Sequence, residues 1–361
     1  MMTKTLLLSQ DDIARIIAAV GRDRLMDLII ARLSEGLSRA DDATSETPAR
    51  SGFVRGEDAA GVLEWMPHHQ VGQGITIKTV AYTPSNPSVR GAPTITGVVG
   101  RFDVISGRLE ALTDGIFLTA LRTGAASAVA SRLLARPDSR VVGLIGTGAQ
   151  AVTQLHALTR VFPIERVLVF DICRAHQESF RSRVEFLGLS VEAAALPELE
   201  RNADIICTAT SVGVGEGPVL AGEELQGHAH INAVGSDLPG KTELPREVLM
   251  SALVCPDHPE QALREGECQQ LDRASLGPDL ASLCRRPELG AKSQGRLTVF
   301  DSTGFALEDH IALDVLLEIA NDLGIGTSIQ LEHFPKDPLN PYAPSASAGL
   351  SMPTSFDVAM S

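Results

Sequence analysis

The sequence predicts an α/β protein made of a doubly wound parallel sheet and a second region of mixed helices and strands. Three observations lead there. Val141-Val142-Gly143-Leu144-Ile145 is a short apolar strand that turns on Gly146 and Gly148 into a helix-like segment; strands and helices then alternate through residue 304; and residues 63 to 112 read as successive strands and turns. At 361 residues the chain exceeds one typical domain, so two are expected.

An apolar strand buried on both faces suits the centre of a parallel sheet. Gly146-Thr147-Gly148-Ala149-Gln150-Ala151 follows it, and the glycines allow a tight turn with no side chain where a pyrophosphate would approach. Amides at the start of the helix expected over Gln150 to Arg160 then face the anion, helped by the helix dipole. Ala151 stands at the third small position of the G-x-G-x-x-G/A pattern. Taken alone, that pattern fits any strand, turn and helix. Specificity comes from the next strand, Arg166 to Phe170, closed by Asp171, where a carboxylate accepts bonds from ribose hydroxyls and repels a 2′-phosphate. The expected cofactor is NAD rather than NADP, with Arg174 close enough to weaken that preference.

A formal charge of −14 argues against nucleic acid or an anionic membrane as partner. No apolar run reaches about 18 residues, and Met1 to Gln10 lacks the basic start and cleavage pattern of a signal peptide, so a cytoplasmic protein is expected. Cys173, Cys207, Cys255, Cys268 and Cys284 show no metal-ligand spacing, and His68-His69 and His228-x-His230 lack the supporting ligands of a zinc site. Reduced structural thiols and no metal are expected.

In chain order, Asp11-Asp12 precede apolar residues at helical spacing, Ile13, Ile16, Ile17 and Val20, then Leu25, Leu28, Ile29 and Leu33, so two amphipathic helices open the chain. Residues 40 to 62 read as loop and turn. They contain Arg50 and Arg55, which by pattern alone are solvated surface charges. Ile75 to Val80, Ile95 to Val99 and Arg108 to Leu112 read as strands of an antiparallel or mixed sheet. Lys78 falls within the first, where a lysine ordinarily covers apolar surface with its stem but can instead pair with a carboxylate in a cleft. Leu118 to Leu134 is a long helix rich in small residues and containing Arg122; Pro137-Asp138-Ser139 ends it and marks the entry to the nucleotide-binding part.

Beyond Asp171 the pattern repeats: helix at Gln177 to Leu187, strand at Val191 to Ala193, helix from Pro197, strand at Ile205 to Thr210. Further strands are His230 to Val234, Ala252 to Val254 and Leu297 to Phe300. Asp309 to Leu323 is read as the final helix, and the tail from Pro335 as loosely attached. Ligands of such sheets lie beyond the carboxyl ends of the strands. That rule singles out Thr208-Ala209-Thr210-Ser211, Val234-Gly235-Ser236-Asp237 and Phe300-Asp301-Ser302-Thr303-Gly304. Asp237 is the candidate for acid/base chemistry there, against the alternative of a turn or cap aspartate.

These residues together resemble the ornithine cyclodeaminase/mu-crystallin family, and within it the lysine cyclodeaminases. The likeness runs through Glu64-Trp65-Met66-Pro67, Leu118 to Ala128, Ile145 to Gln150 and His230 to Gly235. It continues through Lys241-Thr242-Glu243-Leu244, Glu265-Gly266-Glu267-Cys268-Gln269-Gln270-Leu271 and Phe300 to Ala306. Asp237, in Gly235 to Lys241, stands where the cyclodeaminase branch carries an aspartate and the mu-crystallin-like ketimine reductases differ. Thr303 replaces a valine familiar from the ornithine enzymes.

The resemblance implies a Rossmann NAD-binding domain over 126–310 and a substrate and dimerisation domain over 1–125, completed by 311–361, in a homodimer. It implies that Arg50, Lys78 and Arg122 hold an amino acid's carboxylate and that Glu64 and Asp237 face its amino groups. Thr94 and Ser302-Thr303-Gly304 complete the pocket and the nicotinamide end. The cofactor set so implied is Thr94, Arg122, Gly146, Gly148, Ala149, Gln150, Asp171, Thr208, Ala209, Thr210, Val234, Gly235, Ser236, Lys241 and Ser302.

The implied reaction converts L-lysine to L-pipecolate and ammonia with NAD regenerated in each turnover; ornithine would give proline. Asp237 serves as base for the distal amine, Lys78 also in proton transfer, and the cations position Cα. Two other classes compete: an amino-acid dehydrogenase or ketimine reductase that makes or uses NADH stoichiometrically, and a non-enzymatic NAD-dependent binding protein.

Overall fold

The structure, a computed structural model, describes residues 4–41, 43–56 and 61–345. The first part runs β1 (Thr5–Leu8), α1 (Gln10–Val20), α2 (Arg22–Arg39), β2 (Ser45–Glu46), β3 (Ser51–Arg55), β4 (Gly61–Gln70), β5 (Gly74–Tyr82), α3 (Asn86–Arg90), β6 (Ile95–Phe102), β7 (Leu109–Asp114) and α4 (Gly115–Leu134). The second runs β8 (Val141–Ile145), α5 (Ala149–Thr159), β9 (Arg166–Phe170), α6 (Arg174–Arg183), β10 (Ser190–Ala193), α7 (Leu196–Asn202), β11 (Ile205–Thr208), β12 (His230–Ala233), α8 (Arg246–Ser251), β13 (Leu253–Pro256), α9 (Pro259–Glu265), α10 (Leu280–Arg285), α11 (Glu288–Ala291) and β14 (Thr298–Asp301). The chain then returns to the first part through α12 (Ala306–Leu323) and β15 (Thr327–Ile329).

Seven strands form an all-parallel sheet in the order β10-β9-β8-β11-β12-β14-β13. The winding reverses between β8 and β11, which places a crevice at the carboxyl ends of those two strands. Apolar layers cover both faces, with Ile206, Ile231 and Val299 against Leu199 and Leu249 on one side, and Val142, Leu144 and Val167 against Leu155 and Phe180 on the other. Burial on two faces is why these strands are unbroken apolar runs.

The other sheet is mixed, in the order β15-β1-β7-β6-β5-β4-β2, with β3 on β4. Its pairs are antiparallel except β1 with β7. The register sets Met66, Lys78 and Val99 side by side on one face. α4 and α12 pack there, α4 buried along most of its length as its run of small residues permits.

The two opening helices form as expected, the first capped reciprocally by Ser9 and Asp12. Corrections fall at the edges. The stretch 40 to 62, expected as loop, contains β2, β3 and the start of β4; β3 is an exposed edge strand with no alternation to reveal it. β1 and β15 went unread because they are only four and three residues long. The helix expected from Asp309 begins at Ala306 and is followed by β15. Residues 335 to 345 close a small turn through a Pro335–Ser345 bridge; the rest of the tail lies outside the described residues.

Candidate active site

The glycine turn is built for close approach by a ligand. Gly146 has φ +87°, a conformation that favours glycine, and a Cβ there would meet the Ala209 carbonyl at 2.6 Å. Gly148 caps α5 in extended backbone, and a Cβ built on it would meet nothing within 4 Å, so the space before the Ala149 and Gln150 amides is open. Asp171 is already oriented: its Oδ2 accepts from the amide and hydroxyl of Thr147, each at 2.8 Å, and its Oδ1 from the Cys173 amide at 2.8 Å. Lone pairs remain on the carboxylate for ribose hydroxyls. Ser302, at the β14 exit, has a buried hydroxyl with no partner inside the protein. An open cradle, an oriented carboxylate and an orphaned hydroxyl together fit a dinucleotide. Arg174 pairs with Glu178 on the surface, whereas Arg183, which the sequence did not single out, donates to the Thr147 carbonyl at 2.5 Å.

The strand exits are tied together by carboxylates that sequence reasoning did not assign. Buried Glu243 accepts from the Thr208 hydroxyl at 2.6 Å, from the Thr210 amide and hydroxyl at 2.7 Å each, and from the Gly235 amide at 2.8 Å. It thereby fixes the exits of β11 and β12 to each other. Glu267, pushed up to about 9 by burial and the nearby Asp301, in turn accepts from the Glu243 and Leu244 amides. Asp257 accepts from the Thr303 hydroxyl and, at 2.5 Å, from the Gly304 amide. Lys241-Thr242-Glu243 and Glu265-Gly266-Glu267 are visible as strings, but a residue that holds backbone amides has no signature of its own in one sequence.

Three cations converge beside these exits. Lys78 projects from β5 and is 1% exposed; its Nζ lies 2.7 Å from Asp309 Oδ2. Arg122 on α4 pairs with both acids at the start of α12, Nη1 to Glu308 at 2.7 Å and Nε to Asp309 Oδ1 at 3.1 Å. Its guanidinium lies against Gly304, whose φ of +72° and missing Cβ leave room for it. Arg50 is the third. Far from being a surface charge, it is buried, donating from Nε to Glu265 at 2.5 Å and from Nη2 to the Thr303 carbonyl at 3.2 Å, with Nη1 3.7 Å from Glu64. Arg55, the neighbouring candidate, bonds instead to the Tyr82 carbonyl and the Thr83 hydroxyl. Burial, then the charge of Arg122, pulls Lys78 down to about 8 against the opposing pull of Asp309. Each arginine carries five N–H donors and the lysine three, so donors remain for an incoming carboxylate.

Asp237 follows β12 and is partly exposed. Its Oδ1 lies 2.9 Å from Lys241 Nζ, which sits 4.8 Å over the Tyr82 ring. Its charge acts on both Arg50 and Glu64, so the acid and the cations share one neighbourhood. Burial raises the Glu64 carboxyl, with Arg50 opposing. Ser236 donates to the Lys241 carbonyl at 2.6 Å, closing this loop on itself. Val234 joins β12 to it, its amide donating to the Thr208 carbonyl. Thr94 lies just ahead of β6, its carbonyl accepting from the Thr83 amide. The Thr303 hydroxyl is engaged with Asp257 and with Gln261, which donates at 2.7 Å, so this residue meets the cluster through its carbonyl to Arg50 rather than through a free hydroxyl. Among the described residues no helix is long and apolar enough to cross a membrane.

Comparison with known proteins gives a consistent picture. The pattern of the ornithine cyclodeaminase/mu-crystallin family matches residues 10–323. An L-lysine cyclodeaminase of Streptomyces rapamycinicus is 52% identical over 94% of this chain and 99% of that protein. A solved lysine cyclodeaminase, described in terms of its recognition of L-lysine, L-ornithine and L-2,4-diaminobutyric acid, superposes with a TM-score of 0.92 at 56% identity, covering 94% of this chain and 99% of that one. An archaeal alanine dehydrogenase, a dimer with bound NAD, superposes with a TM-score of 0.81 at 31% identity, covering 91% and 100%.

Proposed function

The chain belongs to the ornithine cyclodeaminase/mu-crystallin family, and on that premise we propose that it is a lysine cyclodeaminase forming L-pipecolate and ammonia with NAD regenerated in each turnover. The observation that carries this reading is the convergence of Arg50, Lys78 and Arg122 on the exits of the parallel sheet, with Asp237 and Glu64 in the same neighbourhood. The likeness to lysine cyclodeaminases over nearly the whole chain supports it.

Gly146, Gly148 and the Ala149 and Gln150 amides would hold the pyrophosphate, Asp171 the ribose, and the segments at Thr208–Thr210, Val234–Ser236 and Ser302 the nicotinamide end. NAD bound there supplies a hydride acceptor for Cα that later returns the hydride to the cyclic imine. The residues do the rest. Arg50, Lys78 and Arg122 take the substrate carboxylate on their remaining donors and fix Cα, which is a contribution of position. Asp237 removes a proton from the distal amine so that it can attack Cα, then returns one to the departing amine. Glu64, its carboxyl raised by burial with Arg50 opposing, faces the amino end.

In this reading residues 1–125 with 311–361 bind the substrate and form the dimer contact, residues 126–310 hold NAD, and the enzyme is a cytoplasmic homodimer. Support for the dimer comes from the sheet face opposite Lys78. Trp65, Thr79 and Val98 lie side by side there, Phe53 packs on Trp65 with ring centroids 5.5 Å apart, and Phe53, Trp65 and Val98 are exposed.

The test is a product assay with purified protein, trace NAD and L-lysine or L-ornithine. Expected are pipecolate and ammonia in equal amounts, far in excess of NAD, without net NADH. One methylene discriminates by about 1–3 kcal/mol, so ornithine should turn over with kcat/KM lower by roughly 10- to 200-fold. Stoichiometric NADH would favour a dehydrogenase instead.

A further inference from the structure

Lys241 is set up in a way that binding a cofactor does not require. It is 2% exposed, yet its ammonium is spent on the Asp237 carboxylate at 2.9 Å and on the face of Tyr82 at 4.8 Å. The loop carrying it is pinned at several points. The Ser236 hydroxyl donates to the Lys241 carbonyl at 2.6 Å, the Lys241 amide donates to the Leu238 carbonyl at 3.1 Å, and Gln269 donates to the Lys241 carbonyl at 2.9 Å while accepting from the Gly240 amide at 2.6 Å. Asp237 is therefore held by a buried ammonium that cannot swing away freely.

The charged and titratable groups facing the pair are few. Lys241 meets Asp237, Tyr82 and Glu243; Asp237 meets Lys241, Tyr82, and across the cleft Arg50 and Glu64. Attraction to Asp237 and Tyr82 more than offsets burial, so Lys241 keeps its proton. The substrate brings a second ammonium to the same carboxylate, and ring closure cannot start until that nitrogen has a free lone pair. A fixed like charge beside it disfavours its protonated form, by about 1–3 pKa units for a close pair.

We propose that Lys241 is a positioning residue for ring closure, fixing the Asp237 carboxylate and, through its charge, driving the distal amine of the bound diamino acid toward its neutral form. The proton leaves the distal nitrogen by way of an Asp237 oxygen and passes on to solvent, so that one positive charge leaves the neighbourhood of Lys241, and no other bond changes in that step. The Tyr82 ring, 4.8 Å from the ammonium, helps hold the lysine beside Asp237. This rests on the cyclodeaminase reading.

The experiment compares Lys241→Met, Lys241→Gln and Lys241→Arg with the parent, each first shown to bind NAD by its shift in thermal midpoint. The pH profile of kcat for L-lysine reports groups in the bound complex. Loss of the charge should move its rising limb up by about one pH unit or more. At neutral pH kcat should fall, while the affinity for L-lysine, measured by calorimetry on NADH-saturated protein, holds or tightens because the competing ammonium is gone. Lys241→Arg should keep the parental limb. The proposal is overturned if kcat in the Met and Gln variants falls by one factor at every pH, if it does not change, or if Lys241→Arg is displaced like them. A parent that makes no pipecolate at all contradicts the cyclodeaminase reading instead, so the two failures are distinct.

Discussion

Asp237→Asn is expected to bind NAD as the parent does and to lose about 10²- to 10⁴-fold in kcat, the usual contribution of a positioned general acid or base. Asparagine keeps the shape of the side chain and a carbonyl oxygen that can accept from Lys241, now 2.9 Å from Oδ1. The buried ammonium therefore keeps a partner, and the fold should persist. What disappears is an acceptor able to carry a proton between the distal amine and the departing one. NAD titration by fluorescence and a pipecolate assay measure the two parts separately, and unchanged turnover would remove Asp237 from its role.

Lys78→Met is expected to lose both activity and stability, for separable reasons. The clamp loses one of three cations, and misplacement of Cα by about 1 Å costs on the order of 10²-fold in rate. Independently, fully buried Asp309 loses the ammonium 2.7 Å away and keeps only Arg122 Nε at 3.1 Å, and breaking a buried pair costs up to about 3–5 kcal/mol. Adding Asp309→Asn should restore much of the stability, read by denaturant unfolding, and none of the activity. The charge state makes a second check. Burial and Arg122 hold Lys78 at about 8, and the protonated form grips the substrate carboxylate. Parental kcat/KM should therefore fall as pH rises through about 8, and Lys78→Arg, which stays charged, should lack that limb.

Much of the parallel-sheet part was legible because its physics is local. Burial on both faces writes Val141–Ile145 and Ile205–Thr208 as apolar runs, and the turn after the first needs its glycines. Asp171 could be found by its distance from that turn. The mixed sheet was readable where strands are long, at Gly74–Tyr82, and silent where they are short, at Thr5–Leu8, or lie exposed at an edge, at Ser51–Arg55. Arg50 shows why the pocket was not readable from pattern. It lies in a polar stretch that reads as surface, and what buries it is Glu265, 215 positions away. Lys78 and Arg122 are likewise cations in elements whose periodicity says nothing of a partner at Asp309. Only the family resemblance grouped the three, and it passed over Glu243, Asp257 and Asp309, the acids that hold the grouping in place.

The central claim is that one closed site takes hydride from Cα and gives it back to the same carbon. Turnover of L-lysine deuterated at Cα, with trace unlabelled NAD, measures this directly by mass spectrometry of the product. The account predicts pipecolate that keeps its deuterium at the ring carbon bearing the carboxylate, turnover after turnover. Deuterium collecting in reduced cofactor in step with substrate consumed, or pipecolate stripped of label from the first turnover onward, would contradict it.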